Sequence, residues 1–190
     1  KMKFIRNIGV SIILSIFSGP SIGEEEADSL SLGDPSKPPI IGEPYIVDKI
    51  GDWSLECMRN QDGFETCEMV QLLLNKQKQP MSEISLFRLS NNQGIAAGAN
   101  IIVPLETLLT VPLTISFDEN NIKQYPYSFC NAIGCIVRIG LTENEINILK
   151  RGAQANISVV HISQPNRPIT FGLSLIGFTA AFERTSLLGN

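Results

Sequence analysis

The chain contains four cysteines, which fall into two pairs that are close in sequence, Cys57 with Cys67 and Cys130 with Cys135. Cysteines in such local pairs indicate disulfide bonds, and disulfides persist outside the reducing cytosol. Four cysteines allow three pairings, and sequence alone does not select one of them. The cysteines therefore predict a cross-linked fold before any strand or helix is assigned.

Pairing of each cysteine with its near neighbour is the interpretation we favour, because turn-forming residues separate the partners. In the loop-entropy model, closed loops of about 11 and about 6 residues stabilise by roughly 2.8 and 2.2 kcal/mol. A crossed pairing such as Cys57–Cys130 would close a loop of about 74 residues and stabilise by roughly 4.4 kcal/mol, so it stays open as an alternative. Redox catalysis at Cys130 and Cys135 is disfavoured, because their spacing is CxxxxC and not CxxC. A zinc site of four thiolates is disfavoured by the spacing and by the tendency of exported thiols to oxidise.

Residues 1–23 have the pattern of an export signal. A basic segment is followed by an apolar run at residues 8–17 and by small residues ahead of Glu24. As a helix the apolar run would be about 15 Å long, roughly half of a bilayer core, so we expect cleavage and no integral membrane span afterwards. Residues 24–44 are acidic and then rich in Ser, Gly and Pro, which predicts a disordered leader.

Residues 45–190 are expected to form a single domain, because a segment of this length can bury a substantial core. Loss of the signal would remove three basic residues and change the formal net charge from −4 to −7. An acidic surface repels phosphate backbones, so nucleic acid is not an expected partner.

From residue 45 onward, short apolar runs are separated by clusters of turn-forming residues such as 59–63 and 118–121. Several runs alternate between apolar and polar residues, which is the strand pattern. Their number and spacing predict a mainly β fold, namely an antiparallel β-sandwich of the immunoglobulin-like or a related type. The predicted strands lie at 53–57, 67–74, 84–89, 94–103, 113–117, 134–141, 155–162 and 169–175.

One or two short helices are predicted beside the strands. Thr142 and Glu145 have the spacing of a capping box, and Gly152 follows the basic end of the same segment, so a helix is predicted between them. A second short helix is predicted at 177–184, with a strand as the alternative.

The polar residues offer little for conventional catalysis. His161 is the only histidine, and its place in an apolar run predicts an outward-facing strand residue. Residues 118–121 lack the alternating oxygens of a calcium loop and predict a hairpin turn. Glu143 and Glu145 are expected to stabilise the start of the helix, and the glycosylation pattern at 156–158 lies inside a predicted strand, which favours a chance match. We therefore expect no enzymatic activity, no cofactor and no metal.

Several motifs follow one another in a distinctive order. Trp-x-x-x-Cys at residues 53–57 precedes Phe-Cys-x-x-x-Gly-Cys at 129–135 and Ser-Leu-x-Gly-Phe-Thr-Ala-Ala at 174–181. This order resembles the invasion-associated locus B family of small exported bacterial proteins, over about residues 51–184. One departure is Pro-Leu-Glu at 104–106, where members of the family commonly have Pro-Leu-Gly.

The resemblance implies a β-sandwich-like domain, a location in the periplasm, at the outer membrane or outside the cell, and a link to invasion of host cells. It implies no catalytic residue, and the matching residues have structural roles. Trp53 would be a core aromatic beside the first disulfide. Gly134 would form the turn of the second disulfide, and Gly177 would allow a bend after the last strand, with Phe178 covering the sheet.

These observations leave three hypotheses of function. The first is a non-enzymatic exported module that binds a protein or cell-surface partner at the cell envelope. The second is a periplasmic structural or chaperone-like component whose open strand edge takes up a client strand. The third, an envelope enzyme with an unrecognised site, is the least favoured, because the residues of a conventional site are missing.

Overall fold

The structure is a computed structural model that describes residues 38–188, except residues 76, 77 and 93. The predicted export signal at 1–23 and residues 24–37 of the predicted leader lie outside the described residues. Within them, twelve strands and two helices follow one another along the chain. The strands are β1 (Pro44–Ile50), β2 (Trp53–Arg59), β3 (Glu65–Leu74), β4 (Pro80–Asn92), β5 (Ile95–Val103), β6 (Leu113–Ser116), β7 (Ile122–Tyr125), β8 (Phe129–Asn131), β9 (Gly134–Thr142), β10 (Gln154–Val160), β11 (Pro168–Ser174) and β12 (Leu187–Leu188). The helices are α1 (Glu143–Arg151) and α2 (Phe178–Arg184).

The strands form two sheets. The large sheet has the order β1-β2-β3-β4-β5-β9-β8, with β12 added beside β4, and the small sheet has the order β11-β10-β6-β7. Neighbouring described strands are antiparallel, apart from the parallel pair of β12 and β4. The prediction of a mainly β, antiparallel sandwich with two short helices is therefore confirmed.

Each of the eight predicted strand segments overlaps a strand of the structure, whereas β1, β7, β8 and β12 were not predicted. The residues of β1, β7 and β8 are mostly exposed, so these strands lack the apolar alternation by which a strand is found in a sequence. β12 has only two residues and exists because β4 is long enough to pair with it.

One face of the large sheet is buried. Its strands direct alternate apolar side chains inward, among them Leu86, Ile101 and Val137. The small sheet and both helices add their own buried side chains, such as Ile157 and Phe178, to the same core cluster. The small sheet and the two described helices therefore all pack on the same side of the large sheet.

Helix α1 begins with the predicted capping box. Thr142 Oγ1 accepts a hydrogen bond from the backbone N–H of Glu145, and the Glu145 carboxylate accepts one from the backbone N–H of Thr142, at 3.3 and 2.8 Å. Glu145 is buried, and Nζ of Lys123 on β7 lies 2.5 Å from its Oε1. Burial alone would raise the pKa of Glu145, but the hydrogen bonds from Lys123 and Thr142 outweigh it and hold that pKa below the ordinary value.

Gly152 ends α1 without the left-handed conformation that is common at helix ends. Its φ is −76°, and its N–H donates to the carbonyl oxygen of Ile148 at 2.9 Å. A Cβ at Gly152 would lie 2.8 Å from Cδ1 of Leu175. Glycine is therefore favoured here by the lack of space and not by the backbone angle.

The segment before α2 crosses the turn between β1 and β2 at very close range. Gly177 has a φ of +83°, and a Cβ there would lie 2.2 Å from the carbonyl oxygen of Ile50. A Cβ at Gly51 would in turn lie 2.4 Å from the carbonyl oxygen of Ile176. The N–H of Asp52 donates to the same oxygen of Ile176 at 3.1 Å. Glycine on both sides permits this backbone contact.

The crossing places α2 over Trp53. The ring of Phe178 meets the Trp53 ring edge-on at a centroid distance of 5.6 Å, and Phe182 stacks on Phe178 at 5.8 Å. Trp53 Nε1 donates to the carbonyl oxygen of Ser174 at 3.1 Å. The buried ring of Trp53 thus packs against Phe178 of α2.

Both disulfides join directly paired residues of neighbouring antiparallel strands. Cys57 of β2 is bonded to Cys67 of β3, and Cys130 of β8 is bonded to Cys135 of β9. The locally paired arrangement is therefore the one in the structure, and the crossed alternative is not. Gly134 lies between β8 and the second cysteine of that pair, where a Cβ would be 2.5 Å from a backbone oxygen of β5.

We predict that Gly177→Ala destabilises the protein by more than the cost of its backbone angle alone. An alanine at positive φ costs about 1–3 kcal/mol, and the contact with Ile50 adds to this because backbone atoms would have to move. Gly63→Ala is the matched control, since Gly63 has a φ of +80° and open space around it. Urea unfolding of both variants measures the difference, and equal losses of stability would refute the role of the crossing.

We predict that Glu145→Gln lowers the free energy of unfolding at pH 7 by about 1–3 kcal/mol, because buried partners lose their hydrogen bonds. The folded-state pKa of Glu145 is lowered, so its contribution is present above the unfolded value of about 4.3 and is lost as the pH falls through the folded value. The difference in the free energy of unfolding between wild type and variant should therefore disappear at acidic pH. Glu119→Gln, an exposed control, should show no such gap, and a gap that persists at pH 2 would contradict the assignment.

Candidate functional site: the open face of the large sheet

The side of the large sheet that points away from the core is called the open face here. It carries the side chains that alternate with the buried ones along β1–β5, β9 and β8. One row across it contains Glu56 of β2 opposite Glu68 of β3, then Phe87 of β4, Gly98 of β5 and Gly140 of β9. In the part of the chain that the structure describes, the helices and the small sheet pack into the core on the opposite side.

Within the described residues, three cavities lie on the open face. The first, of about 290 Å³, lies between β2, β3 and β4 beside the first disulfide. The second, of about 590 Å³, lies over β4, β5 and β9, and the ring of Phe87 lines both the first and the second. The third, of about 420 Å³, is lined by Leu72, Glu83 and Ile102 among others. The face is therefore an uneven surface with room for side chains of a partner.

Two glycines form part of the floor of the second cavity. The Phe87 ring lies across Gly98, where a Cβ would be only 2.7 Å from ring atoms, and Ile95 lies across Gly140, where a Cβ would be 3.1 Å away. Large side chains that cover cross-strand glycines lie flat on the sheet. The pairing keeps Phe87 over the sheet, between the first and second cavities.

Glu56, Glu68 and Glu83 form a group of negative charges on the open face. Glu56 and Glu68 are direct cross-strand partners, and Glu83 lies on the neighbouring strand. Burial, followed by repulsion from Glu83 and Glu68, raises the pKa of Glu56, and burial followed by repulsion from Glu68 raises the pKa of Glu83. Among the described residues, the ion pairs use other carboxylates.

Exposed apolar side chains surround these charges. Ile46 of β1, Leu72 of β3 and Phe129 of β8 are 55%, 56% and 45% exposed. The guanidinium of Arg138 lies 5.3 Å above the centre of the Phe129 ring. Apolar side chains that line a surface together with charges are typical of binding faces.

Of the residues singled out in the sequence, Cys57 and Cys67 are the ones that line the first cavity. Trp53 lies in the core, and Gly152 and Gly177 lie at helix ends. Sequence reasoning missed the open face, because its signal is the cross-strand register that brings separate residues into one row. The regularly spaced apolar and acidic residues of β2 and β3 are the only local sign of it.

His161, predicted to be an outward-facing strand residue, is partly exposed just after β10. Its Nε2 lies 2.8 Å from Oε2 of Glu106, and its Nδ1 lies 2.7 Å from Oγ of Ser163. This resembles the order of a hydrolytic triad, but the backbone N–H of Ser163 also donates to Nδ1 at 3.1 Å. The Glu106 side chain is 76% exposed, whereas acyl-transfer sites exclude water. The three residues therefore form a surface hydrogen-bond network that joins the turn after β10 to the loop after β5.

The other candidate polar clusters have structural explanations. Ligand atoms of Cys57, Glu65 and Cys67 lie within 4.8 Å of one another, but the two sulfurs are bonded to each other, and a disulfide offers no thiolate to a metal. Asp118 accepts hydrogen bonds from the backbone N–H groups of Asn120 and Asn121, both at 2.8 Å. The segment 118–121 is thus the hairpin turn that its sequence predicts.

Neither of the two helices within the described residues has the length and apolar character needed to cross a membrane.

The fold and the site define a class of small β protein, in which two disulfides brace a two-sheet domain whose large sheet presents an open face. A family model described as "Invasion associated locus B (IalB) protein" matches residues 53–186. The chain belongs to this family. The resemblance that the order of its motifs indicates is therefore confirmed, and the family name designates no enzyme.

Named relatives and a solved structure agree with this assignment. The chain is 26% identical over 150 residues to "Invasion protein B" of Bartonella bacilliformis, covering 77% of this chain and 78% of that protein. It is 24% identical over 147 residues to an "Invasion protein B homolog" of Brucella abortus (strain 2308), covering 77% and 83%. The crystal structure of invasion associated protein B from Bartonella henselae has a TM-score of 0.61 to this fold at 25% identity, covering 72% of this chain and 92% of that one.

We predict that Glu68→Gln increases stability at pH 7 by about 0.2–1 kcal/mol, because it removes a like charge directly opposite Glu56. The raised pKa values of Glu56 and Glu83 mean that the repulsion is absent below their ordinary values and appears as the pH rises through the raised ones. The gain should therefore vanish at about pH 3.5. Urea unfolding at both pH values measures it, with Glu119→Gln as the control; a loss of stability at pH 7 would show that Glu68 supports the fold.

Proposed function

We propose that this protein is an exported, non-enzymatic component of the cell envelope that contributes to host-cell interaction by binding a partner through its open face. The observation that carries the proposal is the open face itself, with its three cavities, its exposed apolar side chains and its unpaired carboxylates. A sheet with one face in the core and one apolar face directed outward is an arrangement that a binding partner can complete.

Further support comes from location and relatives. The two disulfides favour an oxidising compartment, and the N-terminal pattern of the sequence favours export. The relatives in Bartonella and Brucella carry invasion in their names. We therefore assign this chain a role at the outer surface of the bacterial cell, where it would meet host cells.

The open face has the dimensions of a protein-binding surface. The seven strands that lie side by side across the large sheet span about 29 Å at a spacing of about 4.8 Å. Strands of about six residues add a length of roughly 20 Å in the other direction. Such an area is of the order of the about 800 Å² that each partner buries in a complex of standard size.

A second candidate function is the periplasmic structural or chaperone-like role, and β1 is the observation that favours it. β1 is an edge strand of the large sheet, and Ile46 and Val47 on it are 55% and 47% exposed. A client strand could pair with such an edge by strand addition. Against this, the register shift between Ile46 and Asp48 interrupts the regular pairing of the edge strand.

We predict that Leu72→Asp reduces binding of the purified oxidised protein to cultured host cells by about tenfold or more, because a charge would enter the apolar part of the open face. Ile122→Asp is the matched control: Ile122 is an exposed strand residue of the small sheet with a similar exposure of 60%, and its variant should bind as wild type does. Flow cytometry of labelled protein measures the binding.

Two outcomes would contradict the proposal. Wild-type protein that does not bind cells would remove the host-cell role, and equal losses from both variants would remove the open face as the binding surface. Cell fractionation separates the two candidate functions, because a wholly periplasmic protein that captures unfolded client strands would favour the second one.

A further inference from the structure

We infer that the first cavity of the open face is a docking site for the lysine or arginine side chain of a partner protein. The inference rests on the proposed function and names the chemistry of the partner that the open face would bind. The cavity of about 290 Å³ is at the lower limit of the roughly 300–1,000 Å³ that small-molecule sites occupy. It is therefore better suited to one long side chain than to a cofactor.

The walls of the cavity match an aliphatic stem. Met58, Phe87 and Leu188 line it together with the first disulfide. Lysine and arginine bury their methylene groups against such apolar surface while the charged head stays near polar groups. The ring of Phe87 also provides an aromatic face that attracts a cation.

The charge at the cavity matches the head group. Glu56 and Glu68 line it, and within the described residues neither side-chain carboxylate has a hydrogen bond or an ion pair. The repulsion between these carboxylates persists in the free protein because no described cation relieves it. A bound ammonium or guanidinium group would pair with both carboxylates and replace this repulsion with attraction. The same charges exclude an anionic occupant such as a phosphate or a sulfated sugar.

The surroundings of the cavity favour a protein over a free amine. Phe87 is shared with the second cavity, and Leu72 is exposed on the same face. A free diamine would fill only the first cavity, whereas a peptide that carries apolar residues beside its cation would contact both cavities. The occupant is therefore an extended segment in which a basic and an apolar residue are two positions apart, because residues two apart along a strand lie on the same face.

The test uses the full oxidised protein without its export signal and a fluorescent nine-residue peptide in which leucine and lysine take turns at the odd positions, with serine at the even positions, so that one face of the extended peptide carries both. Fluorescence anisotropy measures the dissociation constant at physiological salt. Three ligands serve as comparisons: the same peptide with acetylated lysines, which keeps the stems and loses the charges, the same peptide with glutamates, and free 1,5-diaminopentane as competitor. We expect the acetylated and acidic peptides to bind at least tenfold more weakly.

The protein variants separate the cavity from general charge attraction. Glu56→Gln with Glu68→Gln should weaken binding of the lysine peptide at least tenfold, whereas Asp62→Asn with Glu119→Gln changes the net charge equally and should change binding less than twofold. Circular dichroism checks that each variant is folded, and amide shifts in NMR spectra should concentrate on β2 and β3. Equal weakening in both double variants, or unchanged binding of the acetylated peptide, would overturn the inference. Free diaminopentane that binds as tightly as the peptide would overturn the assignment to a protein partner.

The outcome is independent of the host-cell assay. Peptide binding that fails while Leu72→Asp still reduces cell binding would reject only the cationic partner. Peptide binding that succeeds while the protein does not bind cells would reject only the host-cell role.

Discussion

The burial of only one face of the large sheet is the constraint on which the rest of the structure depends. Both helices and the small sheet deliver their apolar side chains to the same side. The backbone crossing at Gly51 and Gly177 fixes where α2 lies. The two backbone segments approach each other so closely there that a side chain at either glycine would not fit. With α2 held over Trp53, the core is closed on one side, and the helices and the small sheet among the described residues leave the opposite side uncovered.

The glutamates show how the two sides of the sheet differ. Glu145 is buried at the start of α1, where Lys123 and the capping box compensate its charge and its pKa is lowered. Glu56 and Glu83 lie on the open face and take part in none of the ion pairs among the described residues, and their pKa values are raised. The same side chain therefore stabilises the folded state at neutral pH in one place and destabilises it in the other. A carboxylate cluster that costs stability is easiest to understand where it meets a partner, since the repulsion is relieved only on binding.

The regular parts of the fold could be predicted from the sequence, because they depend on local patterns. The strands with apolar alternation, the capping box of Thr142 and Glu145, and the turn at 118–121 all have local signals, and so does the family resemblance. The edge strands β7 and β8 lack such a signal since their residues are exposed. The close contact of Gly51 with Ile176 joins segments more than a hundred residues apart, and Gly51 has no motif of its own. The open face was beyond prediction for the same reason, since Glu56, Glu68 and Phe87 become neighbours only through strand register.

The first disulfide, between Cys57 and Cys67, lies beside the first cavity of the open face. β3 pairs with β4 only from Met69 onward, while its first residues pair with β2 alone. Residues 186–188 occupy the space beside β4. Ser186 exchanges two hydrogen bonds of 2.8 Å with Cys67, and Leu187 and Leu188 pair with β4. The sheet therefore separates at this point, and the bond between Cys57 and Cys67 holds the first half of β3 where hydrogen bonds to β4 are missing. The first cavity lies in this opening, lined by Leu188 on one side and by the disulfide-bonded strands on the other. The cross-link that predicts an oxidising environment thus also joins, by a covalent bond, the two strands that form one wall of the cavity.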